Sequence, residues 1–166
     1  MALKIYTLNE PEIRKISSDV APQKISEKNL QVFMSALAKM MHQHDGIGIA
    51  APQVGKNIRL IVIDKDYAKT ADDLVLVNPR VVSIAKKTNI QEEGCLSVPG
   101  VYGLVERPVK ARVKGWGRQG EKMDIKAKGM LARVLQHEID HLNGILFIDK
   151  AVKIKKNENA VKSLLV

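Results

Sequence analysis

The sequence predicts an α+β fold in which antiparallel sheets pack around a central metal-binding helix, with a further helix towards the N-terminus. Three observations point to it. Short apolar runs are grouped between two helical patterns instead of alternating with them. Two of the later runs alternate apolar and charged residues on either side of a Gly-containing turn, as a half-exposed hairpin does. The second helical pattern holds His137 and His141 four residues apart, so both imidazoles project from one face.

In chain order, Ser26 is placed to cap a helix from about Glu27 to His44, because Leu30, Phe33, Met34, Leu37, Met40 and Met41 recur at helical spacing and Gly46 ends the pattern. The methionines read as core filling, since the thioether adapts to irregular gaps. His42 and His44 flank the helix end, where a solvated or capping role suits the dipole better than ligation. Leu60 to Ile63, then Leu74 to Val77 stopped by Asn78-Pro79, then Val81-Val82 have the length of strands. Val109, Ala111 and Val113 alternate with Lys110, Arg112 and Lys114, and after Gly117 to Gly120 the alternation resumes through Met123, Ile125 and Ala127. Gly129 precedes a helix of roughly Met130 to Asn143, closed by Gly144 before an expected strand at Ile145 to Ile148.

With 166 residues and 45% apolar content, the chain is expected to form one domain spanning 1–166, with a basic tail from about 151 to 166. Its single cysteine excludes an intrachain disulfide, which fits a reducing compartment. The first ten residues lack the apolar core of a secretory signal, and no apolar run approaches the ~20 residues of a membrane span. A cytoplasmic protein without membrane contact is therefore expected. The net charge of +9 draws it towards anionic surroundings such as RNA or a ribosomal surface. Aromatic residues are only 4% of the chain, too few for a stacking surface, and specific DNA binding is not expected.

Two histidines on one helix face, with Glu138 beside them, suggest a hydrolytic metal centre. Such a centre needs about three protein ligands and an open position for water, so a third ligand must be found. The metzincin pattern continues from glycine to a histidine; Gly144 is present, but the ligand position is Phe147. Glu158 is available in the lysine-rich tail. Cys95 is the stronger candidate, since Glu93-Gly94-Cys95-Leu96-Ser97 runs into Val98-Pro99-Gly100, a turn suited to holding a thiolate against the helix. Gly46 and Gly48 do not form a dinucleotide loop, because the fingerprint requires glycine where Ala51 stands and the segment follows a helix.

Three segments, Gly46-Ile47-Gly48-Ile49-Ala50-Ala51-Pro52-Gln53, Glu93-Gly94-Cys95-Leu96-Ser97 and Gln136-His137-Glu138-Ile139-Asp140-His141, resemble in order the motifs of the peptide deformylase family. The resemblance implies hydrolysis of the formyl group from N-formylmethionyl nascent peptides, with release of formate. It implies one divalent metal held by Cys95, His137 and His141, ferrous iron in cells, with zinc, nickel or cobalt as alternatives. Glu138 would transfer the proton, while the Gln53 amide and the Leu96 backbone N–H would stabilise the oxygen of the reacting carbonyl. Gly46, Ile47 and Gly48 would wall the site, with Arg133 at the rim of a methionine pocket that Val134 also lines. Arg107 and Asp140 would pair behind the ligands. The resemblance departs at Tyr102, where many members carry arginine. Transient contact with the ribosome is implied by the substrate, and the tail from Lys153 to Val166 is expected to form a short amphipathic helix there.

Two other readings remain at this level. A small H-E-x-x-H metallopeptidase would use the same helix, and a basic ribosome-associated protein with a structural metal would have no need of Glu138.

Overall fold

The computed structural model describes residues 3–156. Helix α1 (Lys28–Gln43) is followed by strand β1 (Gly48–Ala50), β2 (Leu60–Ile63), the short helix α2 (Lys65–Ala68) and β3 (Leu74–Ile84). Strands β4 (Thr88–Cys95), β5 (Val98–Pro108), β6 (Lys110–Trp116) and β7 (Lys122–Lys128) precede helix α3 (Gly129–Leu142), and β8 (Ala151–Lys156) closes the described chain. Two antiparallel sheets result, one ordered β1-β2-β3-β6-β7 and one ordered β4-β5-β8. The architecture is α+β, as the grouped runs predict.

The larger sheet is covered on both faces at its centre, which is why Leu60–Ile63 is an unbroken apolar run rather than an alternating one. On one face, Phe33, Leu37 and Met41 of α1 pack against Ile49, Leu60 and Val62. On the other, Val134, Leu135 and Ile139 of α3 pack against Ile61, Ile63, Leu76 and Val113. The smaller sheet has its own core of Ile13, Val98, Val101, Val105, Leu146 and Phe147. α3 runs beside the first sheet and carries its histidines towards the end of β4, between two rigid supports. Among the described residues no helix is long and apolar enough to cross a membrane.

Several local expectations are corrected. The N-cap of α1 is Glu27 rather than Ser26, and no side chain caps that end. Asn78-Pro79 does not stop a strand. Asn78 takes a left-handed φ of 52°, its amide bonds both backbone groups of Val20 (2.8 and 2.7 Å), and β3 continues past an irregular register to Ile84. The run at Ile145 to Ile148 is a 3-10 turn, Phe147–Asp149, held by Asp149 accepting from the Leu146 N–H at 2.8 Å. Val98-Pro99-Gly100 belongs to β5; the turn after Cys95 is Leu96-Ser97 alone, since Cys95 pairs with Val98. The start of the expected tail helix, Lys153 to Lys156, lies in β8, which pairs with β5. The remainder of that tail, and Glu158 with it, lie outside the described residues.

Candidate metal centre and active site

The end of β4 meets the middle of α3 at the proposed ligands. Ligand atoms of Cys95, His137 and His141 all lie within 4.8 Å of one another, and Cys95 Sγ is 3.2 Å from His141 Nε2. A sulfur and two ring nitrogens at such separations fit a single ion with bond lengths near 2.0–2.3 Å. Glu138 Oε2 is buried with no partner among the described residues, which leaves a carboxylate oxygen free to accept from a water bound beside the ion. The residues present therefore suit a hydrolytic divalent cation.

His137 is oriented from behind. Its Nδ1 lies 2.9 Å from Glu93 Oε2, and because an ionised carboxylate only accepts, the proton sits on Nδ1 and Nε2 is left for the metal. Glu93 is itself gripped by Arg107 through Nε and Nη2 (2.6 and 2.9 Å) and by Arg133 Nη1 at 2.6 Å. Burial would raise the Glu93 carboxyl, but the hydrogen bonds from His137 and Arg107 overcome it and hold the group well below the usual glutamate range. Arg107 Nη1 also donates to Asp140 Oδ2 at 2.8 Å, and Lys150 closes the set on Asp140 at 2.7 Å. Asp140 and Arg107 thus pair as the resemblance implies.

Arg133 is among the residues that border the cavity, and its guanidinium also serves the support behind the site. It is buried and spent on Glu93, the Val105 carbonyl (3.0 Å) and Asn89 (2.8 Å to Oδ1), which makes it part of the support beneath His137. Glu93 and Ser97 are site residues that the sequence reading quoted without assigning a role. The one signal for Glu93 was its place two residues before Cys95. It is the buried position of a strand otherwise exposed up to that point.

Gln53 arrives from the 3-10 turn after β1. Its Oε1 accepts from the Ala50 N–H at 2.8 Å, which fixes the amide so that Nε2 points at Cys95 Sγ (3.4 Å) and Ser97 Oγ (3.3 Å). Leu96 follows the cysteine in the two-residue turn. A cavity of about 510 Å³ opens in front of these groups, and Gly46, Ile47, Gly48, Leu96, Val134 and Tyr102 are among the residues that line it. His44 and Met130 lie at the same cavity. His42 instead pairs with Asp73 at 2.8 Å near the end of α1. That surface group of His42, Asp64 and Asp73 is exposed on its histidine and carries no argument for a second ion.

Gly48 is required by close approach rather than by a left-handed backbone. A Cβ there would stand 2.7 Å from Glu138 Oε1 and 2.8 Å from Val134 Cγ1, neither of which can retreat into the packed helix. Gly48→Ala is expected to displace the carboxylate and lower kcat/KM about tenfold or more, since misplacement of about 1 Å can cost as much as 10²-fold. Unchanged kinetics, with the substitution confirmed by mass, would remove Gly48 from the site.

The imidazoles differ in proton affinity. Burial would lower His137, but hydrogen bonds to Cys95 and Glu93 and the charge of Glu138 outweigh it and push the metal-free group up to about 10. Burial and the neighbouring His137 charge hold His141 well below its ordinary value. A metal must displace the His137 proton to bind, so metal affinity is expected to fall as pH falls, with proton release near neutrality. Calorimetry in buffers of different ionisation enthalpy reads this directly; binding without proton release would contradict it.

A model of the Polypeptide deformylase family matches residues 2–157. The chain is 45% identical to a peptide deformylase of Halothermothrix orenii over 92% of its own length and 95% of that protein. A Carboxydothermus hydrogenoformans peptide deformylase is 41% identical over 91% of this chain and 94% of the relative. Among solved structures, a class I type b peptide deformylase from Acinetobacter baumannii superposes with a TM-score of 0.85 at 35% identity, covering 90% of this chain and 99% of that one. The Synechococcus elongatus peptide deformylase in complex with actinonin gives 0.83 at 38% identity, covering 98% and 84%. The metallopeptidase reading is not favoured by these matches.

Proposed function

The chain belongs to the polypeptide deformylase family and is a metal-dependent deformylase, and from that premise we propose how its own residues act on the N-formylmethionine of a nascent chain. The observation that carries the reading is the convergence of Cys95, His137 and His141 with the unpartnered, buried carboxylate of Glu138. Those three side chains would hold a divalent cation, which would supply an acidified water and polarisation of the formyl carbonyl. Glu138 takes the proton from the attacking water and delivers it to the amine nitrogen, so that the C–N bond breaks and formate and a free amino terminus are released.

Gln53 Nε2 and the Leu96 N–H donate to the carbonyl oxygen as it gains charge. The Ala50 N–H holds the Gln53 amide in the donating orientation before substrate arrives, so no reorganisation is required at the moment of reaction. Gln53→Ala is expected to reduce kcat by about 10²–10³-fold, or about 2.7–4 kcal/mol of barrier. Steady-state kinetics on metal-matched samples check this, and a loss confined to KM would assign Gln53 to binding instead. Gly46, Ile47, Gly48 and Val134 wall the space for the methionine side chain, and the brace formed by Arg107, Asp140 and Arg133 keeps His137 in place through Glu93.

One thiolate and two imidazoles suit ferrous iron, zinc, nickel or cobalt, and ferrous iron is proposed as the cellular metal. Residues 1–166 are read as one catalytic domain, acting in the cytoplasm in transient contact with the ribosome. The test is anaerobic loading with ferrous iron, followed by measurement of formate released from a formylmethionyl peptide beside its acetylated counterpart. Formate from the formyl peptide alone is expected. No formate would end the reading, and cleavage of internal bonds in an unformylated peptide would restore the metallopeptidase.

A further inference from the structure

Away from the active site, positive charge is concentrated where α1 ceases to cover the larger sheet. Trp116 still packs beside the α1 core, whereas the other outward positions of β6 and β7 face solvent. Across this face Lys110 stands opposite Lys128, Arg112 opposite Lys126 and, on β3, Arg80 opposite Lys114. Like charges directly across a sheet are destabilising. Carboxylates relieve part of the strain: Asp124 binds Arg112 at 2.8 and 2.6 Å and lies 3.7 Å from Lys114, and Asp19 binds Arg80 at 2.7 Å. Among the described residues, Lys110, Lys126 and Lys128 have no carboxylate partner. These three lysines and Arg112 line a groove of about 510 Å³ together with Ser83 and Ile84, and among the described residues no acidic one lines it.

We propose that this groove docks the sugar-phosphate backbone of RNA. The lysines left without a carboxylate, Lys110, Lys126 and Lys128, would be favoured by an anion lying over them. Neighbouring strands lie about 4.7–4.9 Å apart, so Lys110 and Lys128, and Arg112 and Lys126, rise side by side from one face. A protein partner would demand an apolar, aromatic-rich centre, yet the lining holds a single large apolar residue, Ile84. Nucleic-acid interfaces are instead polar and strongly positive. Among the described residues the groove has no aromatic lining on which to stack bases, so contact is with backbone and not with sequence. The choice of RNA over DNA rests on the deformylase reading, because the nascent substrate is made on RNA.

The test is fluorescence anisotropy of the full chain with a labelled RNA duplex, from about 50 to about 200 mM salt, without peptide substrate. The triple variant Lys110→Glu, Lys126→Glu, Lys128→Glu is expected to lose at least tenfold in affinity and to flatten the salt slope by about 2–3, at about 0.7–0.9 per phosphate contact. A control with the same charge change at exposed positions elsewhere, Lys24→Glu, Lys28→Glu, Lys39→Glu, is expected to keep most of the affinity and the slope. Formate release, measured separately, is expected to persist in both variants and shows that they fold. Equal losses in the two variants would reduce the effect to net charge and overturn the groove. Tighter binding of a poly-glutamate peptide, or of a DNA duplex of the same length, would overturn the RNA assignment. Because duplex binding is read without substrate, its failure leaves the deformylase reading intact, and the converse holds.

Discussion

Replacing Glu138 by glutamine is expected to lower turnover by about 10²–10⁴-fold while the protein still takes up one metal per chain. The side chain keeps its shape, and the ligands Cys95, His137 and His141 are untouched, so metal content should match the parent. Only the ability to accept and return a proton is lost. Burial raises the metal-free Glu138 carboxyl to about 7, and a nearby dication favours its ionised form, so the acid limb of the parent kcat profile should fall below pH 7. The same shift predicts a stability effect of opposite sign to the activity effect. An acid whose folded value is raised is a liability once ionised. Metal-free Glu138→Gln should therefore gain stability relative to the metal-free parent above about pH 7, and the gain should shrink as pH falls towards the ordinary value of 4.5. Thermal unfolding of both metal-free proteins across that range, beside metal analysis and formate kinetics, checks the pair of statements. A variant that loses its metal along with its activity would make Glu138 a support of the centre and not its proton carrier.

Glu93→Ala should produce the largest loss of stability. Arg107, Arg133 and Glu93 are all buried, and removing the shared carboxylate leaves Arg107 with Asp140 alone, leaves Arg133 with only neutral acceptors on Val105 and Asn89, and deprives the His137 Nδ1–H of its acceptor. Deleting one partner of a buried ion pair costs about 3–5 kcal/mol. Loss of the group that orients a metal-bound imidazole typically costs a further 10–100-fold in metal affinity. Urea unfolding of the metal-free protein reads the first effect, and competition with a chelator reads the second. Since the folded carboxyl is depressed, its contribution is complete above the ordinary glutamate value of 4.5 and is lost as pH falls below it. The variant should accordingly be less sensitive to acid than the parent. Parent-like unfolding at pH 7 would show that the arginines find other partners.

Much of the chemistry was legible in the chain because it is local. His137 and His141 are one helical turn apart, so their convergence needs only that α3 form, and the apolar residues of that segment ensure it. The β6–β7 hairpin was equally plain, since one face is packed and the other wet. β4 was not, because it is a polar strand exposed along most of its length and offers no hydrophobic period. β3 was cut short by the ordinary rule for Asn-Pro, which fails here because Asn78 finds Val20 across the fold and spends its amide on that segment. The tail strand β8 exists through pairing with β5, a partner far back in the sequence.

The sequence by itself determined the α+β class, the helix that presents two imidazoles and a carboxylate, and the residue types a hydrolytic metal centre requires. Those follow from spacing along one element, where backbone geometry leaves no freedom. Only the tertiary structure decided that Cys95 meets the imidazoles, that Arg133 holds Glu93, and that Gly48 is needed for the room Glu138 occupies. These are distances between segments dozens of residues apart, fixed by how two sheets close on one helix, and no local pattern encodes them.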